Sequence, residues 1–101
     1  MKLKEFIEKF IEPNSLVRLL YKTNDGHMIV GEDWNSVSME HDILYQKGKF
    51  RHYINNEVIG IASIFIHGHY SESINIVIEK LENQPYLDEV EYESICESNC
   101  Y

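Results

Sequence analysis

Apolar residues near the start of the chain recur at steps of three and four positions, and charged residues fill the positions between them. This spacing predicts an amphipathic helix over residues 2–11. The helix is expected to end before Pro13, because proline lacks the backbone N–H that would extend it. The apolar side of the predicted helix consists of Leu3, Phe6, Ile7, Phe10 and Ile11.

The segment from Phe50 to Leu81 carries most of the strongly β-forming residues of the chain. Val58–Ile66 is almost continuously apolar, which predicts a long central strand with both faces covered. Asn55 and Asn56 separate this strand from the run FRHYI. Because both asparagines tolerate positive φ, they predict a two-residue type I′ turn and an antiparallel hairpin.

Two further turns connect the other predicted strands. His67-Gly68-His69 predicts a turn that leads into a strand over Ser73–Lys80, where apolar and polar residues mostly alternate. Leu16–Thr23 predicts an earlier strand, and Asn24-Asp25-Gly26 predicts the turn of a first hairpin. The sheet predicted from these signals is antiparallel.

The region after the first hairpin carries weaker signals. We expect Glu32–Ser38 to form a loop. We expect Met39–Tyr45 to form a strand, because its last three residues suit β structure. The alternative for this second segment is a short helix capped by Ser36 or Ser38.

These elements predict an α+β domain over residues 1–81. We expect its sheet to be small, antiparallel and strongly curved, or closed into an SH3-like or OB-like barrel, with the N-terminal helix covering one end. The chain has 101 residues, of which 44% are hydrophobic, so it has room for one core. Residues 82–101 are expected to form an acidic C-terminal tail.

Negative charge is concentrated in the second half of the chain. Residues 1–50 hold seven Lys or Arg and eight Asp or Glu, whereas residues 51–101 hold two and nine, so the halves carry −1 and −7. This distribution disfavours nucleic acid as a direct partner, because binding nucleic acid requires basic side chains that neutralise phosphates. It favours a basic surface on another protein.

Acidic and apolar residues alternate in the predicted tail. In an extended chain Glu89, Glu91 and Glu93 would lie on one face, about 6.7 Å apart. The alternative is a solvated terminus that only keeps the protein in solution. The predicted partner-binding strip consists of Asp88, Glu89, Glu91, Tyr92 and Glu93.

No sequence motif indicates an enzyme. The glycines are scattered singly, so the chain has no phosphate-binding loop and no G-x-G-x-x-G motif, and it also has no G-x-S-x-G nucleophile motif. We expect no catalytic residue and no cofactor.

Two pairs of potential metal ligands stand out, and both are incomplete. His67 and His69 flank one glycine, and Cys96 and Cys100 lie in the last six residues. Two histidines do not complete a metal site, and a single C-x-x-x-C spacing is a weak signal. We therefore expect no metal site. Two cysteines so close together cannot form a disulfide framework across the fold, which indicates a reducing compartment.

A second class of function stays open at this point. A small barrel that sequesters a small molecule between its helix and its sheet would need convergent polar side chains. A metal-dependent hydrolase using the two histidines is a third and more remote alternative. The polar contacts for a small ligand would come from Arg18, Arg51, His52, His67 and His69.

The sequence gives no sign of membrane insertion. Its apolar runs are far shorter than the ~18 residues of a membrane span, and no small-residue cleavage site follows the N-terminal helix. That helix carries three Lys and three Glu out to Glu12 and so lacks the basic face of a membrane-surface helix. We expect a cytoplasmic protein.

Five motifs follow the predicted N-terminal helix in the order SLVRLLYK, Gly26-His27-Met28-Ile29, Ser38-Met39-Glu40, YINNEVIGI and SESINIVIE. This order resembles a family of small uncharacterised proteins in phages and prophages of gut Firmicutes. The resemblance covers roughly residues 1–80 and brings no known activity. It implies a mobile-element context, in which small proteins often inhibit or redirect host proteins. We therefore expect a non-enzymatic accessory protein that acts in the host cytoplasm on a defence or nucleic-acid-handling component.

Overall fold

Two α-helices and a six-stranded mixed sheet make up residues 1–98, the part of the chain that the computed structural model describes. The fold class is therefore α+β, as predicted. In chain order the elements are α1 (Leu3–Phe10), β1 (Leu16–Lys22), β2 (Met28–Asn35), α2 (Ser36–Leu44), a short 3₁₀ helix (Phe50–His52), β3 (Val58–Ile66), β4 (His69–Tyr70), β5 (Ile74–Ile78) and β6 (Ser94–Ser98).

The strands β1 and β5 lie side by side inside the sheet and run parallel. β2 pairs antiparallel with β1, and β3 pairs antiparallel with β5. Phe65 of β3 pairs with both Tyr70 of β4 and Ser94 of β6, so β4 and β6 lie on opposite sides of β3. The order across the sheet is therefore β2-β1-β5-β3-β6, with β4 beside the end of β3.

This topology corrects two predictions about the sheet. The sheet is mixed rather than antiparallel, and it is not closed into a barrel: within residues 1–98 no pairing joins the edge strands β2 and β6. The parallel pair agrees with the burial of its strands, because parallel neighbours need cover on both faces. Residues Val17–Tyr21 of β1 and Asn75–Ile78 of β5 are all buried.

Each face of the sheet has its own hydrophobic cluster. We call the first the helix-side core, because α1, α2 and the 3₁₀ helix contribute to it; its buried members are Leu3, Phe6, Val17, Leu19, Tyr21, Met39, Phe50, Tyr53, Val58, Ile76, Ile78 and Leu87. We call the second the tail-side core. It consists of Leu20, Val30, Ala62, Ile64 and Val77, with Val90, Tyr92 and Ile95 among the partly buried residues packed against it.

The strands predicted over Leu16–Thr23, Val58–Ile66 and Ser73–Lys80 are confirmed as β1, β3 and β5. The first hairpin is confirmed as well, because the amide of Thr23 donates to the carbonyl oxygen of His27 at 2.8 Å across the predicted turn. β3 begins at Val58 and ends at Ile66, as the run of apolar residues predicts.

The predicted N-terminal helix is confirmed as α1, Leu3–Phe10. The first N–H groups of a helix have no partner within the helix and need one elsewhere. In α1 the amides of Leu3 and Lys4 donate to the carbonyl oxygens of Asn56 and Ile54, both at 2.9 Å. The backbone carbonyl groups of residues 54 and 56 therefore cap the N-terminus of α1, which has no side-chain cap.

The hairpin predicted at Asn55-Asn56 is wrong. The run FRHYI forms the 3₁₀ helix Phe50–His52 and a turn, and it directs the rings of Phe50 and Tyr53, three positions apart, into the helix-side core. Asn56 is fully buried, and its side-chain amide donates to the carbonyl oxygen of Glu79 at 2.8 Å. Asn56 thus links the residues before β3 to the end of β5, which is a different role from a turn.

The strand predicted over Met39–Tyr45 is also wrong, because these residues belong mostly to α2. The side chain of Asn35 caps the helix by accepting a hydrogen bond from the amide of Ser38 at 2.8 Å. β2 continues up to this cap, so residues 32–35 are strand rather than loop. Met39 and Ile43 lie one helical turn apart and both pack at the helix-side core.

The packed domain extends beyond Leu81, where the sequence analysis placed the start of a tail. The amide of Glu32 donates to the carbonyl oxygen of Asp88 at 3.0 Å, and the amide of Val90 donates to that of Val30 at 2.9 Å. The amide of Glu93 then donates to the carbonyl oxygen of Phe65 at 2.8 Å. The chain from 88 to 98 therefore pairs with β2 at one edge of the sheet and with β3 at the other.

Ile64 belongs to the tail-side core and Ile76 to the helix-side core, so substitutions at these two residues test the cores separately. Their exposed fractions are 1% and 0%. We expect Ile64→Ala and Ile76→Ala each to lower the free energy of unfolding by ~2–5 kcal/mol, measured by chemical denaturation. Val37→Ala is the control, because Val37 is 70% exposed on α2. Losses below about 0.5 kcal/mol at both isoleucines, as at an ordinary surface position, would contradict the assignment of the cores.

Tyr53 connects the helix-side core to the chain that follows β5. It is fully buried, its hydroxyl donates to the carbonyl oxygen of Pro85, and burial raises the pKa of Tyr53 from 10.0 to about 12. Because the folded state holds this proton more tightly, the stabilisation is complete below pH 10.0 and is lost as the pH rises through about 12.

We expect Tyr53→Phe to lower the free energy of unfolding at neutral pH by about 1 kcal/mol, because it removes one hydrogen bond. The variant is also expected to lose less stability than the native protein as the pH rises to about 12. Denaturant titrations at several pH values measure both effects. Equal alkaline losses in the two proteins would show that the Tyr53 proton does not contribute.

Candidate functional site

A groove of about 480 Å³ lies between α1 and α2 on the helix side of the sheet. Met39 and Phe50 are buried in its wall, and α1 and α2 contribute half-buried residues to both sides. The groove is thus mainly apolar. Its apolar lining consists of Ile7, Ile11, Met39, Ile43, Phe50 and Ile54.

The spacing of apolar residues in the two helices produces this groove. In α1, Leu3 and Phe6 are buried in the helix-side core, and Ile7 stays half-buried beside them. In α2, Met39 is buried and Ile43, one turn later, is half-buried. Each helix therefore places part of its apolar side on the sheet and part along the groove.

The rim of the groove is acidic. Glu8 belongs to α1, Glu12 follows that helix, Glu40 belongs to α2, and all three side chains are exposed. Among the described residues that line the groove, Lys4 is the only cationic one. The apolar lining is therefore bordered by more negative than positive charge.

Large apolar side chains are also exposed on or directly after the two helices. The exposed fractions are 57% for Phe10, 70% for Val37, 72% for Leu44 and 60% for Tyr45. Single exposed apolar residues are ordinary, but several of them around an apolar groove are typical of an interaction surface.

The predicted acidic strip is built into the sheet edges. Val90 and Tyr92 pack toward the tail-side core, and Glu89, Glu91 and Glu93 are exposed, so the alternation seen in the sequence has a structural counterpart. Its members are not equally free to meet a partner.

Asp88 forms an ion pair with Lys49 at 2.6 Å, which already offsets its charge. The Tyr92 hydroxyl donates to the carbonyl oxygen of Met28 at 3.3 Å, and a Glu93 carboxylate oxygen accepts from the amide of Gly68 at 3.0 Å. Three of the five residues predicted to bind a partner therefore have contacts within the fold.

The residues predicted to bind a small ligand do not form one site. Arg18 is buried, where its guanidinium pairs with Asp33 at 3.3 Å and donates to Ser71 Oγ at 2.7 Å. Arg51 and His52 belong to the 3₁₀ helix, whereas His67 and His69 are exposed at the turn between β3 and β4. None of these five residues lines the groove.

Within residues 1–98, no group of three or more His, Cys, Asp or Glu side chains is placed to hold a metal ion. Within the turn, His69 Nδ1 contacts the carbonyl oxygen of His67 at 3.2 Å. Cys96 is exposed on β6, and Cys100 lies outside the described residues.

The groove was not among the predicted sites, because a strand was predicted where α2 forms. Two signals in the chain could have revealed it. Asn35 is a strong helix cap three positions before Ser38, and Met39 and Ile43 have helical spacing. The position of α2 beside α1 depends on the sheet topology and has no counterpart in a local pattern.

Neither helix in the described part of the chain has the length and apolar character needed to cross a membrane. Comparison of the chain with protein-family models, with curated proteins and with solved structures gave no match. The resemblance to small phage proteins therefore stays a prediction.

Proposed function

We propose that this protein is a non-enzymatic binding module that holds a basic amphipathic helix of another protein in the groove between α1 and α2. The observation that supports the proposal is the groove itself, which is mainly apolar, has a volume of about 480 Å³ and is bordered by an acidic rim. An amphipathic helix places its apolar side in such a groove and keeps its polar side in water.

The apolar part of the surface supplies the affinity in this proposal. Ile7, Ile11 and Ile43 are half-buried, so a partner that covers them removes further apolar surface from water. Phe10 and Leu44 are each more than half exposed, and they are the chain neighbours of Ile11 and Ile43 in the groove lining. A docked helix would contact them with residues at its ends.

Charge defines the chemistry of the partner. The rim carboxylates of Glu8, Glu12 and Glu40 favour Lys and Arg at the edges of the docked helix. The whole chain carries a net charge of −8, which attracts a basic partner over a longer range. Glu89 and Glu91 in the acidic strip belong to this long-range attraction rather than to the apolar contact.

Such binding gives the protein a direct way to act on a host protein. A helix held in the groove is not available for its own intramolecular or intermolecular contacts, so its owner is inhibited or redirected. This is the mode of action that the resemblance to phage proteins implies.

A designed peptide tests the proposal before any natural partner is known. The probe is a helix of Leu, Lys and Ala, about 18 residues long, with leucines at i, i+3, i+4 and i+7. Its control is a peptide of identical composition in which the leucines are scattered around the helix. We expect the ordered peptide to bind, to bind more weakly at high salt, and to shift the methyl resonances of Ile7 and Ile43.

Two aspartate variants separate the groove from general charge attraction. Ile43→Asp places a charge in the groove and is expected to weaken peptide binding by at least about tenfold, which is 1.4 kcal/mol. His41→Asp adds the same carboxylate to the side of α2 away from the groove, because His41 is exposed and does not line the groove, and this variant is expected to bind like the native protein. Both variants are checked for folding by circular dichroism.

Three results would contradict the proposal. They are equal binding of the ordered and scattered peptides, equal losses in the two aspartate variants, and methyl shifts outside the groove in the native protein. The last readout needs no variant, so it stays informative if Ile43→Asp unfolds the chain.

A further inference from the structure

A second cavity, of about 450 Å³, opens where β1 and β5 end. It shares no lining residue with the groove between the helices. Tyr21 and Ile78 are buried behind its wall, Ile59 is half-buried and supplies accessible aliphatic surface, and Lys80 and Tyr86 also line it. A volume of this size lies in the range of small-molecule sites, which is ~300–1,000 Å³.

Lys80 is held in this cavity by uncharged groups. Its ammonium nitrogen lies 4.8 Å from the ring centroid of Tyr86 and 5.7 Å from that of Tyr21, so it contacts the faces of two aromatic rings. It also donates to the carbonyl oxygens of Leu81 and Gln84, at 3.3 and 3.5 Å. These contacts fix the position of the charge.

The charge of Lys80 is not offset by an ion pair within residues 1–98. Lys22 pairs with Glu97 at 2.8 Å, and Lys49 pairs with Asp88. The exposed Lys4, Lys9 and Lys47 have no ion pair within residues 1–98 either, but they differ from Lys80 in lying outside this cavity. A positioned ammonium group without an anionic partner in the fold is suited to receive the anionic group of a ligand.

The remaining lining limits the chemistry of that ligand. Tyr86 is 68% exposed, so its ring is available at the mouth of the cavity for contact with an aromatic body. Glu79 and Glu82 also line the cavity, and their negative charges disfavour a doubly charged phosphate. An aromatic ligand with one carboxylate satisfies both conditions, because its ring can contact Tyr86 and its single negative charge is repelled less than that of a phosphate.

We propose that this cavity binds a small aromatic carboxylate, with the carboxylate on the Lys80 ammonium group and the ring between Tyr86 and the half-buried Ile59. The sequence analysis allowed a small-ligand site but assigned it to other residues. Lys80 and the two tyrosines were missed because their approach depends on the tertiary fold.

Three simple probes test the ring and the charge separately. Benzoate has both features, benzamide has nearly the same shape without the charge, and acetate has the charge without the ring. We expect benzoate to give saturable shifts of the Ile59 and Ile78 methyl resonances, with affinity in the ~1 mM range that suits so small a ligand. Benzamide and acetate are expected to bind at least about tenfold more weakly.

Lysine variants assign the charge to one residue. Lys80→Gln is expected to weaken benzoate binding at least about tenfold, whereas Lys47→Gln, an exposed lysine after α2, leaves it unchanged. Unaltered Ile64 and Ile76 methyl resonances show that each variant keeps its cores. The proposal is overturned if benzamide binds as tightly as benzoate, if Lys80→Gln has no effect, or if Ile59 and Ile78 show no saturable shift.

Discussion

The backbone hydrogen bonds of residues 88–93 are the constraint on which the rest of the fold depends. The outer edges of β2 and β3 present N–H and C=O groups that need partners, and open edges of this kind also invite pairing with other chains. The C-terminal segment supplies partners at both edges, at Val30 and Glu32 of β2 and at Phe65 of β3. One segment thus completes both edges of the same sheet.

The same segment connects the two cores. Leu87 is buried in the helix-side core, and Val90 and Tyr92 pack against the tail-side core only a few residues later. The crossing is close at Gly31, where a Cβ atom would lie 3.1 Å from Leu87 Cβ and 3.2 Å from Leu87 Cδ1. A residue without a side chain lets the segment approach β2 at this point.

This arrangement decides which surfaces are left for binding. The tail-side core is covered by the chain's own residues, and much of the acidic strip has contacts within the fold. The helix side differs, because α1 and α2 cover the sheet and leave an apolar groove between themselves. A polypeptide partner is therefore better matched to the helix side than to the acidic strip.

Local pattern was sufficient for the elements whose sequence has one clear period. The spacing of apolar residues and Pro13 predicted α1, and continuous apolar character predicted β3. It failed where residue types and spacing disagree. Ile43, Leu44 and Tyr45 favour strand by type, whereas the Asn35 cap and the packing of Met39 favour the helix that forms.

Contacts between segments that are far apart in the chain could not be predicted from local sequence patterns. The parallel pairing of β1 and β5, the groove, and the approach of Tyr21 to Lys80 each join residues that are far apart in the chain. The alternation of Glu and apolar residues after Leu87 left open whether this segment is extended or a solvated terminus. It contained no information on the sheet edges that this segment completes.

Amide hydrogen exchange of the native protein tests most directly whether the C-terminal segment is part of the fold. The amides of Glu32, Val90 and Glu93 each donate a hydrogen bond that joins this segment to a sheet edge. We expect all three to exchange slowly, with protection approaching that of the amides in β1 and β5. Exchange of Val90 and Glu93 at the rate of an unfolded chain, while β1 and β5 stay protected, would contradict this account. It would show a free acidic tail instead.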